Sequence, residues 1–173
     1  KRDWSSDVCS SDLPLKTFYE ESRDFYFNGA AIFFYHYGGA HTDGESFVYF
    51  RGSDVIVAGD TFLTTTYPVI DYRIGGGVDG FLKGLNKMLA IAVPKWLQDG
   101  GTYVIPGHGR VSDEADLVEY RDMIYIIRDR IQDMVKRGMT LDQVKAARPS
   151  LDYDGRYGSE SGARFRSEEH TSE

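Results

Sequence analysis

The stretch Val104–Gly109, VIPGHG, ends a short apolar run on a histidine set between two glycines, and its reading decides the fold. Thr102–Ile105 is predicted to be a buried strand, opened by Gly100-Gly101 and closed by Pro106-Gly107-His108-Gly109. The glycines beside His108 remove steric bulk, so its imidazole can approach a cavity or an ion closely. Loops at strand ends are where binding and catalytic groups are usually carried. Downstream, Leu117, Tyr120, Ile124, Ile127, Ile131 and Met134 recur at steps of three and four, which predicts a long helix over Glu114–Lys136 lying flat against a sheet and stopped at Gly138. Thr140 with Gln143 forms a capping-box pattern for a short helix to about Arg148, closed by Pro149.

Upstream the pattern changes period. Val78–Val93 carries Phe81, Leu82, Leu85, Met88, Leu89 and Ala92 at helical spacing and meets Pro94. Before it, Thr61–Gly77 contains Pro68 and Gly75-Gly76-Gly77 and reads as an irregular loop. Strands are expected at Thr17–Glu20, Asp24–Phe27, Ala30–Tyr37, Ser46–Phe50 and Asp54–Ala58, with Asn28-Gly29 as a two-residue hairpin turn. Nearly every position of Ala30–Tyr37 (AAIFFYHY) is apolar or aromatic, which predicts a strand covered on both faces and hence a layered α/β domain.

Two more strand ends carry chemistry. His41 opens the turn His41-Thr42-Asp43-Gly44, and Asp60 follows Gly59 after the strand Asp54–Ala58. With His108 they offer two imidazoles and a carboxylate, a nitrogen and oxygen donor mix suited to zinc and, with less preference, to iron or manganese. Read singly, a loop histidine is an ordinary turn residue and an aspartate after a strand an ordinary cap. His36, in the apolar strand, reads either as a structural histidine or as a residue orienting a ligand, and Asp43 either as a turn former or as a support for His41.

The chain has 173 residues, 41% hydrophobic and 27% charged, with a net charge of −7. This balance excludes a disordered or fibrous chain. No run approaches the roughly 20 apolar residues of a bilayer-spanning helix, and no basic cluster suits a polyanion, so neither a membrane nor a nucleic-acid partner is expected.

The ends read differently from the middle. Arg166–Glu173 (RSEEHTSE) can be encoded by AGATCGGAAGAGCACACGTCTGAA, whose reverse complement reads through Ser6–Leu13 (SDVCSSDL). Both resemble one sequencing-library adapter translated on opposite strands. The expected organisation is therefore an adapter-like segment at 1–13, one partial domain at 14–165, and a second adapter-like segment at 166–173. The only cysteine, Cys9, falls in the first of these, which leaves the domain without a disulfide or a thiolate metal site.

AHTDGES at Ala40–Ser46, VAGDTF at Val57–Phe62 and VIPGHG at Val104–Gly109 come in the order and approximate spacing of the later motifs of metallo-β-lactamase-fold hydrolases. The chain resembles the branch with glyoxalase II-like thioesterases and metal-dependent lactonases, from Pro14 to about Arg148. The resemblance implies the C-terminal half of an αββα sandwich, with His41 on a first metal, Asp60 bridging two, and His108 on the second. It also implies two zinc ions and a small-molecule ester, thioester, lactone or lactam as substrate. The family's first motif, H-x-H-x-D-H, is not in this chain. Its expected place is before Pro14, and a segment without it is expected to be inactive and to lose zinc. Two alternatives share the scaffold: an iron-dependent oxidoreductase, and a metal-free binding protein that keeps the sandwich.

Overall fold

Asn28 and Gly29 both take left-handed backbone, with φ of 49° and 77°. That is the geometry of a two-residue turn whose twist matches the strands it joins. It connects β1 (Ser22–Phe27) to β2 (Ala30–His36) and sets the register Phe27 to Ala30 through Ser22 to Tyr35. The computed structural model describes residues 20–158. The adapter-like ends 1–13 and 166–173 lie outside these residues, as do residues 17–19 of the strand expected at Thr17–Glu20; Glu20 itself is not in a strand.

Three further strands, β3 (Ser46–Phe50), β4 (Val55–Leu63) and β5 (Tyr103–His108), complete a sheet of order β1-β2-β3-β4-β5. The first four strands run antiparallel, and β5 pairs parallel to β4 after a crossover through α1 (Val78–Leu89). Then come α2 (Glu114–Lys136), α3 (Leu141–Ala147) and α4 (Asp154–Tyr157). Asp113 caps α2 by accepting from the Asp116 amide, and the Thr140–Gln143 capping box of α3 is complete. Among the described residues no helix is long and apolar enough to cross a membrane.

The period of two sorts the strands into two faces. Tyr35, Phe47, Ile56 and Val104 point to one side, where they join Phe81, Leu85, Met88, Leu117 and Tyr120 of α1 and α2 in one buried core. Tyr35 stacks on Phe47 at 4.8 Å between ring centres, and Tyr37 follows at 6.0 Å. The other side carries Phe25, Ile32, Phe34, Val48 and Val57, with Phe25 stacked on Phe34 at 5.3 Å.

The expectation that β2 is covered on both faces needs correction. The helices that contact the sheet gather on one side, and on the opposite face of β2 only Ile32 is buried. The described residues thus form one helix layer and one sheet. Two other expectations shift. Helix α1 stops at Leu89 rather than Val93, because Thr102 captures Val93 through both its amide and its hydroxyl, each at 2.8 Å. Helix α2 lies on the sheet only in its first half. Its 23 residues span about 35 Å against about 20 Å for the six residues of β5, so Ile131 and Val135 run past the edge into solvent.

Candidate functional site

The end of β4 is where the sheet changes rule. Ile56 and Ala58 are buried on the helix side, and strict alternation would bury Asp60 beside them. Gly59 instead adopts φ 58°, and the β4–β5 register slips between Val57 and Leu63. This bulge inverts the pattern: Asp60 turns out to solvent, while Thr61, Phe62 and Leu63 are buried. Thr61 Oγ1 is hydrogen-bonded to the Tyr37 hydroxyl, and burial pushes the Tyr37 phenol well above its ordinary range.

Strand β5 carries the next residue further than the sequence suggested, since Pro106, Gly107 and His108 continue the strand rather than leaving it. His108 Nε2 and Asp60 Oδ1 stand 3.7 Å apart, both accessible to solvent. Two donors at ~2.1 Å from one tetrahedral ion would be about 3.4 Å apart, so this pair fits the chemistry and spacing of a divalent metal. The fit depends on Gly107. A Cβ there would lie 2.2 Å from Asp60 Oδ1 and 2.8 Å from the Gly59 carbonyl carbon. Gly107→Ala is expected to cost about 1–3 kcal/mol by overpacking and to drive the Asp60 carboxylate off His108. Urea unfolding together with a crystal structure of the variant checks both parts.

His41 approaches from the β2–β3 turn and lines the same cleft as Asp60 and His108, with Leu63, Thr66 and Val69. Its Nδ1 is 2.7 Å from the Val69 carbonyl oxygen. A carbonyl only accepts, so Nδ1 carries the proton and Nε2 keeps a lone pair in the neutral ring. A ligating imidazole is commonly fixed in this way. Among the described residues, however, no three His, Cys, Asp or Glu side chains converge closely enough to hold an ion. The Asp60–His108 pair is in place, and His41 shares its cleft without closing a three-donor cluster.

The two other histidine-region candidates lie elsewhere. His36 Nδ1 donates to the Glu45 carbonyl at 3.0 Å and sits opposite Ser46, across the sheet face away from the helices. The acceptor at His41 Nδ1 is Val69, not Asp43. The Asp43 amide donates to the Ile74 carbonyl at 3.0 Å, and its Cβ lies 3.1 Å from where a Cβ on Gly75 would be. Val69 itself carried no sequence signal, because the group it supplies is a backbone oxygen that every residue has.

The fold that carries this cleft superposes on solved structures. The sec-alkylsulfatase Pisa1 from Pseudomonas sp. superposes with a TM-score of 0.60 at 15% identity, over 75% of this chain and 21% of that one. A metallo-β-lactamase from Pontibacter korlensis matches with a TM-score of 0.47 at 17% identity, over 63% of this chain and 47% of that one. By its superposition on the sulfatase, the chain carries part of a metallo-β-lactamase fold. The chain spans about a fifth of the sulfatase and about half of the lactamase. No family model matches the sequence, and no curated protein matches it. Within the metallo-β-lactamase fold, the cleft sits at the carboxyl ends of the two parallel strands, where open sheets place their ligands.

Proposed function

We propose that this chain is a segment of a metal-dependent hydrolase, in which His41, Asp60 and His108 supply part of a zinc site acting on a small ester, thioester, lactone or lactam. The observation that carries the reading is the cleft itself: a carboxylate and an imidazole 3.7 Å apart, faced by a second imidazole whose Nδ1 is already committed to Val69. When bound, zinc would acidify a water and polarise the carbonyl under attack. The chain's own residues do the placing. The bulge at Gly59 aims the Asp60 carboxylate outward, Gly107 leaves room for it, and the Val69 carbonyl reserves His41 Nε2 as a donor. The remaining donors would come from an H-x-H-x-D-H segment preceding Pro14 in a longer protein.

The test compares the 173-residue chain with a protein extended upstream in the source reading frame. After desalting, the given chain is expected to retain no stoichiometric zinc by elemental analysis, since three donors leave the coordination sphere open. The extended protein is expected to hold two zinc ions and to hydrolyse at least one of a thioester, a lactone, a β-lactam and an activated ester. The panel includes a secondary alkyl sulfate, because the Pseudomonas enzyme is a sec-alkylsulfatase. Two tightly held ions in the given chain, or a complete upstream half with the motif histidines replaced, would overturn the reading.

A further inference from the structure

Residues 64–71 run from one imidazole-bearing residue to the other. At the start, the Thr64 amide donates to the His108 carbonyl at 3.1 Å, and Thr64 Oγ1 accepts from the Arg110 amide at 3.2 Å. At the end, the Asp71 amide donates to the His41 carbonyl at 3.1 Å, two residues after the Val69 carbonyl takes the His41 ring proton. Thr65, Thr66 and Val69 line the cleft, while Tyr67, Pro68 and Ile70 line an apolar cavity with Phe81 and Ile127. This strap belongs to no sheet, so its middle must be held by side chains.

Tyr67 holds it. Its single hydroxyl proton is shared between the Asp154 carboxylate at 2.8 Å and the Ser150 carbonyl at 3.1 Å. Asp154 also accepts from Ser150 Oγ at 3.1 Å and from Arg148 Nη2 at 3.0 Å, so the acceptor is fixed from three directions. The Tyr67 ring packs on Tyr157 at 5.9 Å, and Tyr157, 2% exposed, packs in turn on Tyr120. Burial first, and then the bond to Asp154, push the Tyr67 phenol up to about 12, so it stays a neutral donor through the physiological range. Neither Tyr67 nor Asp154 lines the cleft.

We propose that Tyr67 and Asp154 are positioning residues for the cleft: by clamping the strap to the turn at residues 150–154, they keep the Val69 carbonyl against His41 Nδ1 and so hold His41 in the tautomer that leaves Nε2 free. The purpose of this device rests on reading His41 as a ligand, but its geometry is testable without metal.

The experiment uses the metal-free 173-residue chain at about pH 8, above the ordinary imidazole range of about 6.5, with long-range proton–nitrogen NMR of the histidine rings assigned by His41→Gln. In the parent sequence the His41 Nδ1-H form is expected to dominate. Tyr67→Phe keeps the ring packing and removes the shared proton, and Asp154→Asn independently removes the charged acceptor. Both are expected to shift His41 toward the Nε2-H form while the far-ultraviolet circular dichroism of the parent is retained. An unchanged His41 tautomer in either folded variant would overturn the proposal. In the upstream-extended protein, Tyr67→Phe is further expected to weaken zinc about tenfold, the range seen when a ligand loses its outer support. A tautomer shift without any zinc effect would keep the clamp and refute the ligand reading of His41.

Discussion

Replacing Gly80 with alanine is expected to lower stability by about 3 kcal/mol or more, although glycine to alanine in a helix interior ordinarily gains about 1 kcal/mol. Gly80 is the third residue of α1. An added Cβ would lie 1.8 Å from the Gly39 carbonyl oxygen, 2.1 Å from its carbon and 2.6 Å from the Ala40 nitrogen. All three are backbone atoms, so no side chain can rotate away. Gly39 itself needs φ 70°, Ala40 is fully buried, and the Gly77 amide is bonded to the Ala40 carbonyl at 2.8 Å. Relief therefore requires α1 to slide away from the turn that carries His41. Urea unfolding should show a lower midpoint with an unchanged slope. Gly155→Ala in α4 is the control. Nothing lies within 4 Å of its added methyl, and its effect should be neutral or slightly stabilising. A raised midpoint for Gly80→Ala would mean that α1 and the Gly39 turn do not touch.

How much of this was readable depends on whether the deciding atoms belong to one residue or to a meeting of several. The hairpin at Asn28-Gly29, the α3 capping box and the bounds of α2 are local, set by backbone preferences and apolar spacing within a few residues, and the sequence carries them directly. The end of α1 was missed because Thr102, nine residues beyond Val93, decides it. The cover of β2 was misread for a similar reason: an apolar strand shows that both faces are hydrophobic, not that a layer lies on each. At the cleft, the glycines beside His108 and before Asp60 set both residues apart in the sequence, and the structure gives those glycines concrete work in clearance and in the bulge. A glycine inside a strand pattern is the signal that could have placed the bulge in advance. The link from His41 to Val69 and from Tyr67 to Asp154 joins residues 28 and 87 apart through groups with no local periodicity, so only the folded chain reveals it.

Tyr120→Ala should be comparably damaging, at about 3–5 kcal/mol, the range for deleting a buried aromatic ring from a packed core. Tyr120 is fully buried on α2 and meets Phe62 edge to face at 5.4 Å and Tyr157 at 5.7 Å. It therefore joins three pieces that are distant in sequence: the end of β4 just past Asp60, the long helix, and residues 150–157, which clamp the strap. Its hydroxyl reaches the Thr66 carbonyl only at 3.5 Å, a long bond, so Tyr120→Phe should cost no more than about 1 kcal/mol. Against a total stability of about 5–15 kcal/mol for a typical domain, the alanine variant loses a large share and the phenylalanine variant little. The two substitutions separate packing from hydrogen bonding, and amide hydrogen exchange adds where the loss falls. In Tyr120→Ala, protection should drop first in residues 64–71 and 150–157, which the ring braces, before the β2–β3 pairing loosens. Equal loss of protection across β2 and β3 would instead mean that the ring supports the whole sheet and that the strap has no separate brace.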